Sequence, residues 1–156
     1  MSATPEHLQQ IEAAKASLLK LPILGPVVWL YARDERRKWT FIADNDWLMM
    51  PPIVLDQCRL YTKSDIPWAY FAWAFVSDEV HQRLNSGTAK IAPHEWRSGS
   101  HCWVIDSVAP FGGLDECFTE LRSTSLADKP VHRFLPQLDG RVLVESLPAL
   151  AAANAA

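Results

Sequence analysis

The segment Cys102-Trp103-Val104-Ile105-Asp106-Ser107-Val108-Ala109 carries one carboxylate among apolar neighbours. If it is a strand, period-two alternation puts Asp106 on the face of Cys102, Val104 and Val108, with Trp103, Ile105, Ser107 and Ala109 on the other. Burying that charge is costly unless it is paired or protonated, so the residue needs a partner or a task. A proton-handling carboxylate meets this requirement; so does a structural aspartate bonded to backbone amides. The strand runs on into Pro110-Phe111-Gly112-Gly113 and a helix, where free backbone N–H groups suit a phosphate or a developing oxyanion. Asp115 and Glu116 in the first helical turn oppose a phosphate on the axis, and a plain strand-to-helix turn accounts for the same residues.

Other chemistries find less support. There is no serine in a GxSxG elbow and no GxxxxGK[ST] phosphate loop. His101 and Cys102 are neighbours that point to opposite faces of a regular strand, which disfavours a nucleophile pair. His101 and Asp106 also face opposite ways, and a dyad between them would need a β-bulge. Cys58, Cys102 and Cys117 are odd in number and widely spaced, as free thiols rather than a disulfide or CxxC framework. The histidines His7, His81, His94, His101 and His132 show no HxxxH or HxH spacing, so no metal site is expected.

The elements that must position Asp106 follow from periodicity. Leu8, Ile11, Ala14, Leu18 and Leu21 recur at helical spacing, predicting an amphipathic helix over 5–21 that ends before Pro22. Ile23 to Ala32 reads as a buried helix, and the mixed-charge run Arg33 to Lys38 reads as a solvated segment. Trp47 to Gln57 is broken by Pro51-Pro52, with a short helix expected after the break. Gln57 to Lys63 and Ile66 to Val76 flank the polar step Ser64-Asp65 and predict an antiparallel hairpin. Both alternating sets of the second strand are apolar, so it should be covered on both faces. Ser77 caps a helix to about Asn85, a strand follows over His101 to Ala109, a helix over Leu114 to Ser123, and one or two strands within Val131 to Glu145. The sum is an α/β (α+β) domain, a largely antiparallel sheet with helices on both faces. Its expected organisation is an N-terminal helical extension over 1–21, one domain over 22–146 and a disordered alanine-rich tail over 147–156.

With 156 residues and 49% hydrophobic content the chain can bury one core, and a net charge of −3 gives no global positive field for a nucleic acid. Its longest apolar runs are too short to cross a bilayer as a helix, and the polar N-terminus lacks the pattern of a secretory signal, so a cytoplasmic protein is expected.

Three stretches resemble the lysine acyltransferases that activate RTX haemolysins by fatty acylation. They are Ile23-Leu24-Gly25-Pro26 with Val27 to Ala32, then Ile66-Pro67-Trp68-Ala69-Tyr70-Phe71-Ala72-Trp73-Ala74, then Trp96-Arg97-Ser98-Gly99 followed by Trp103 to Gly112. The resemblance covers residues 23–140 and is most specific in its last stretch. It implies a fold similar to the GNAT superfamily of N-acetyltransferases. It also implies transfer of a fatty acyl group from the phosphopantetheine thioester of acyl carrier protein to a lysine amine of a protein or peptide, such as an RTX protoxin, with no bound cofactor. The family's catalytic pair is a histidine in the loop after the helix that carries Ile23-Leu24-Gly25 and an aspartate that maps onto Asp106. Val108, Phe111, Gly112 and Gly113 then fall near the donor thioester or pantetheine arm.

The histidine position, counted back from Trp39, falls at Arg36, and no histidine occurs between His7 and His81. A lysine nucleophile with an ordinary pKa near ~10.4 needs a base or a site that lowers that value. Desolvation would raise the pKa of Asp106 and make it a better base; a guanidinium from Arg36 would lower it and leave an ion pair. His101 or His132 could supply the imidazole from a bulged or neighbouring strand. The competing expectation is a catalytically impaired homologue that binds acyl carrier protein or another partner, with Arg33, Arg36, Arg37 and Lys38 as a basic patch. An exposed apolar face on the N-terminal helix would permit a homodimer.

Overall fold

The computed structural model describes residues 4–150. Helix α1 (Pro5–Leu19) is capped by the Thr4 hydroxyl and buries none of its side chains. The chain bends by 51° into helix α2 (Leu21–Tyr31), and Pro22 sits in the first turn of this second helix. There its missing N–H has no intrahelical partner to lose, so Pro22 starts a helix as well as ending one. No single described helix is long and apolar enough to cross a membrane.

After a 3-10 turn (Ile42–Asp44) and a π-helical turn (Asn45–Met49), helix α3 (Met50–Val54) begins ahead of Pro51-Pro52 and contains them. The two prolines occupy first-turn positions, which explains why the helix does not wait until after the break. Strands β1 (Cys58–Lys63) and β2 (Ile66–Val76) form the expected antiparallel hairpin. Helix α4 (Asp78–Asn85) is capped by Ser77, whose side chain accepts from the Val80 N–H. Strand β3 (His101–Val108), helix α5 (Leu114–Ser123), strand β4 (Val131–Pro136) and strand β5 (Val142–Leu147) complete the chain. Leu147 thus ends a strand rather than opening a tail, and residues 151–156 of the expected tail lie outside the described residues.

The sheet order is β1-β2-β3-β4-β5, antiparallel except for the β3–β4 pair, which α5 connects as a parallel crossover. This is the α/β arrangement expected, with a core on each face. Tyr70, Ala72, Ala74 and Val76 of β2 pack with α2, α3 and α4; Ala69, Phe71 and Trp73 pack with Phe118 and Leu121 of α5. The stretch Trp96 to Gly99 runs beside the end of β2, where β1 has stopped: Phe75 N–H donates to Trp96 O, and Ser98 N–H to Phe75 O. A Cβ on Gly99 would overlap the Val76 carbonyl and lie 2.6 Å from Ser77 Cα, so only glycine fits this crossing.

The register between β2 and β3 shifts after Ala72: Ala72 pairs with Asp106, and Trp73 pairs with Val104. Ile105 is therefore an extra residue, a β-bulge, and strict alternation fails there. Cys102 and Val104 belong to the core beneath α5, whereas Trp103, Ile105 and Val108 belong to the core beneath α2. Asp106 follows this second group, so its expected companionship with Cys102 and Val104 is corrected; of the three, only Val108 shares its side.

Candidate active site

Asp106 is buried, with 2% of its surface exposed, and its carboxylate is fully engaged. Arg37 donates to Oδ1 through Nε at 2.8 Å, and its Nη2 lies 2.7 Å from the same oxygen. The Tyr31 hydroxyl donates to Oδ2. The bulge at Ile105 turns Asp106 toward α2, and Tyr31, at the last turn of that helix, meets it from the other side.

The placement of Arg37 is local chemistry within the charged run. Asp34 Oδ1 accepts the backbone N–H of Arg36 and of Arg37, each at 2.9 Å, and closes the turn that follows α2. Arg33 folds back over the Trp29 ring at 3.6 Å, and Lys38 pairs with Glu35 at 2.8 Å. The run expected to be solvated therefore sends one side chain inward. The basic patch of Arg33, Arg36, Arg37 and Lys38 is divided among separate partners, with Arg33, Arg36 and Lys38 still exposed.

The ion pair envisaged for Arg36 is made by its neighbour. Arg36 Nη2 reaches the Ser107 carbonyl at 3.4 Å, so this side chain lies beside the strand of Asp106 without bonding its carboxylate. Burial holds the Tyr31 hydroxyl far above its ordinary value, and the negative charge of Asp106 adds to that shift. Burial, the largest single cause, pushes Arg37 down, but the charge and hydrogen bond of Asp106 together with the neighbouring Tyr31 and Asp34 outweigh it, and the guanidinium is held above its usual range. Tyr31 and Arg37 both stay protonated at neutral pH.

Two cavities meet at Arg37. One, about 180 Å³, is lined by Asp106, Arg36, Arg37 and Ser107. The other, about 360 Å³ and largely apolar, is lined by Leu24, Val28, Tyr31, Phe41 and Met49 with Arg37 at its polar side. Asn45 also lines it, and its buried side-chain oxygen has no partner among the described residues. The apolar cavity lies between α2 and the turns before α3, whereas the aromatic strand β2 is consumed by the core.

The remaining expected positions sit as follows. Val108 is fully buried, backbone included, and presents no surface to a donor in this structure. Phe111 is exposed and its ring lies 5.8 Å from Trp29 and 5.3 Å from Trp68. Gly112 and Gly113 take φ of 90° and 80°, and Gly113 is the left-handed residue that opens α5. His101 and His132 do not join Asp106: His101 bonds Asp78, and His132 bonds Ser146. Tyr31 is the functional candidate that sequence reasoning missed, and Arg37, expected only in an exposed basic patch, is the partner of Asp106; the Asp34 turn signal ahead of Arg37 was the one local clue.

The model of the RTX toxin acyltransferase family matches residues 16–144. The chain belongs to this family. It is 37% identical over 105 residues to the protein-lysine myristoyltransferase HlyC of Escherichia coli, covering 65% of this chain and 60% of that protein. It is 36% identical over 103 residues to the lysine-acyltransferase RtxC of Vibrio cholerae, covering 64% and 66%. It is 36% identical over 93 residues to the leukotoxin-activating lysine-acyltransferase LktC of a Pasteurella haemolytica-like species, covering 58% and 54%. The aligned segments thus span between about half and two thirds of these relatives. Within this member of the RTX toxin acyltransferase family, the matched region contains α2, the Asp34 turn, both cavities and Asp106.

Proposed function

We propose that the protein is a cytoplasmic lysine acyltransferase that moves a fatty acyl group from acyl carrier protein to a lysine side chain of a protein or peptide, with an RTX-type protoxin as the acceptor class. The observation that carries this reading is the apolar cavity of about 360 Å³ that ends at Arg37, beside a second cleft holding Arg36 and Asp106. The first suits an acyl chain, and the second suits the thioester carbonyl and the attacking amine.

In this reading the lysine nitrogen attacks the thioester carbon; the C–N bond forms, the C–S bond breaks, and the amine proton ends on the leaving thiolate, by way of water. The cleft is lined by three guanidinium groups, Arg36, Arg37 and Arg133, against the Asp106 carboxylate; with Arg133 paired to Glu145, the cleft is still net positive. A lysine ammonium entering it is destabilised relative to the neutral amine, which lowers the barrier to deprotonation without an imidazole. Arg37 uses Nε and Nη2 on Asp106, leaving Nη1 for the developing oxyanion. Asp106 is then a positioning residue that fixes the Arg37 fork and the Tyr31 hydroxyl. Phe111, Gly112 and Gly113 border the path of the pantetheine arm, and Val108, buried behind them, ends the strand that positions them.

A second reading, a homologue that binds acyl carrier protein or a partner without turnover, is favoured by one observation: no imidazole is among the partners of Asp106. Incubation with acyl carrier protein carrying a labelled fatty acid and a lysine-bearing acceptor separates the two. Acyl transfer predicts label on the acceptor lysine, loss of label in Arg37→Ala, and about a 10²-fold faster rate in Arg36→His, which restores a base where the family carries one. Stable retention of the acyl carrier protein with no transfer, in wild type and Arg36→His alike, would select the binding reading.

A further inference from the structure

The histidines that looked unrelated in sequence are brought together by the fold. His81 lies on α4, His101 opens β3 and His132 lies on β4, and one ring nitrogen of each is within 4.8 Å of one on both others. The sheet register builds this cluster: Trp103 pairs with His132 across β3 and β4, and His132 pairs with Ser146 across β4 and β5. The His81 and His101 rings stack with centroids 4.0 Å apart, and those of His81 and His132 lie 4.8 Å apart. All three side chains are half-buried, and none bonds any group of the Asp106 site.

The outer partners are those that orient metal-binding imidazoles. His101 Nε2 is 2.6 Å from Asp78 Oδ1, an acceptor, so Nε2 carries the proton and Nδ1 keeps its lone pair. His132 Nδ1 is 2.7 Å from Ser146 Oγ, which can accept its proton and leave Nε2 free. His81 Nδ1 accepts the Trp103 indole N–H at 2.9 Å, and its Nε2 faces the Asn85 amide at 3.1 Å. A lone pair is thus already present on His81 Nδ1, and a cation can take it if the indole gives it up.

We propose that His81, His101 and His132 form a binding site for a divalent first-row transition metal, Zn²⁺ in the first instance, with its remaining coordination position open to water. Three imidazoles are a donor set suited to Zn²⁺, Cu²⁺ or Ni²⁺ and unsuited to Ca²⁺ or Mg²⁺. Bonds of about 2.0–2.1 Å draw the three nitrogens inward and tie α4 to β3 and β4.

The test is calorimetric titration of the tag-free full chain with Zn²⁺ after chelator treatment, together with Co²⁺ absorption and the indole N–H spectrum. The expected result is one equivalent bound at micromolar affinity or tighter, with Co²⁺ giving visible bands of tetrahedral intensity. The Trp103 indole N–H resonance should move as it leaves His81. At metal 100-fold above Kd the melting temperature should rise by roughly 5–10 °C. His81→Gln and His132→Gln should each lose at least tenfold in affinity, while His7→Gln and His94→Gln leave it unchanged. No saturable binding by the wild-type chain overturns the proposal on its own. One equivalent that survives both His81→Gln and His132→Gln, or a still Trp103 resonance on saturation, also overturns it.

Discussion

The Asp106 carboxylate shows how a buried charge is tolerated and what its removal of support would cost. Its two oxygens receive three donors, two from Arg37 and one from Tyr31, and only the arginine carries compensating charge. Arg37→Ala therefore strands an anion in a site with 2% exposure, and breaking such a pair on one side costs about 3 kcal/mol or more. Replacing the anion as well, in Arg37→Ala with Asp106→Asn, removes the uncompensated charge and should recover part of that loss. Urea unfolding of wild type, single and double variants checks this. If the double variant is less stable than Arg37→Ala by the full cost of Asp106→Asn alone, the charges are not coupled and the pair does not account for the fold here. The importance of Asp106 was legible in the sequence because a carboxylate amid valines needs a reason. Its partner was not, because the neighbours Arg36 and Arg37 differ only in which way the Asp34 turn directs them.

Elements defined by local signals were legible nearly to the residue. The hairpin, the Ser77-capped helix α4 and the helix α5 each carry their own start and stop chemistry, and the structure places them where periodicity does. What escaped was tertiary: the bulge at Ile105 is visible only in the pairing of β3 with β2, and it alone decides which core Asp106 faces. The histidine cluster escaped for the same reason, since its members are drawn from α4, β3 and β4 and no spacing rule links them. The hairpin also carries a testable strain. Ser64 and Asp65 both adopt left-handed backbone, with φ of 51° and 64°, as a two-residue turn between twisted strands demands. Neither is the best residue for it. Substituting Ser64→Asn with Asp65→Gly should stabilise the protein by about 1 kcal/mol, read as a higher urea midpoint at unchanged m value.

At the scale of the whole molecule, one sheet separates two apolar cores, and each core holds a thiol that reports on its burial. Cys102 belongs to the core beneath α5, and Cys58 packs against the core beneath α2. Burial pushes the Cys102 thiol up to about 12 and the Cys58 thiol up to about 11, from an ordinary value of 9.0. Burial also raises Tyr31, Tyr61 and Tyr70 above their ordinary value of 10.0. In every case the unfolded chain loses its proton first. Between the unfolded and folded values the native state binds more protons, so stability falls as pH rises. The contribution is intact below pH 9, begins to fade there with the thiols, and fades further above pH 10 with the tyrosines. For Cys102 alone the loss between pH 9 and 11 is about 2 kcal/mol. Urea unfolding across pH 8 to 11 should show this decline, and Cys102→Val, which keeps the volume and removes the titration, should flatten it. An equally steep decline in Cys102→Val would mean that the thiol beneath α5 is not held protonated by its core, and that water reaches that face of the sheet.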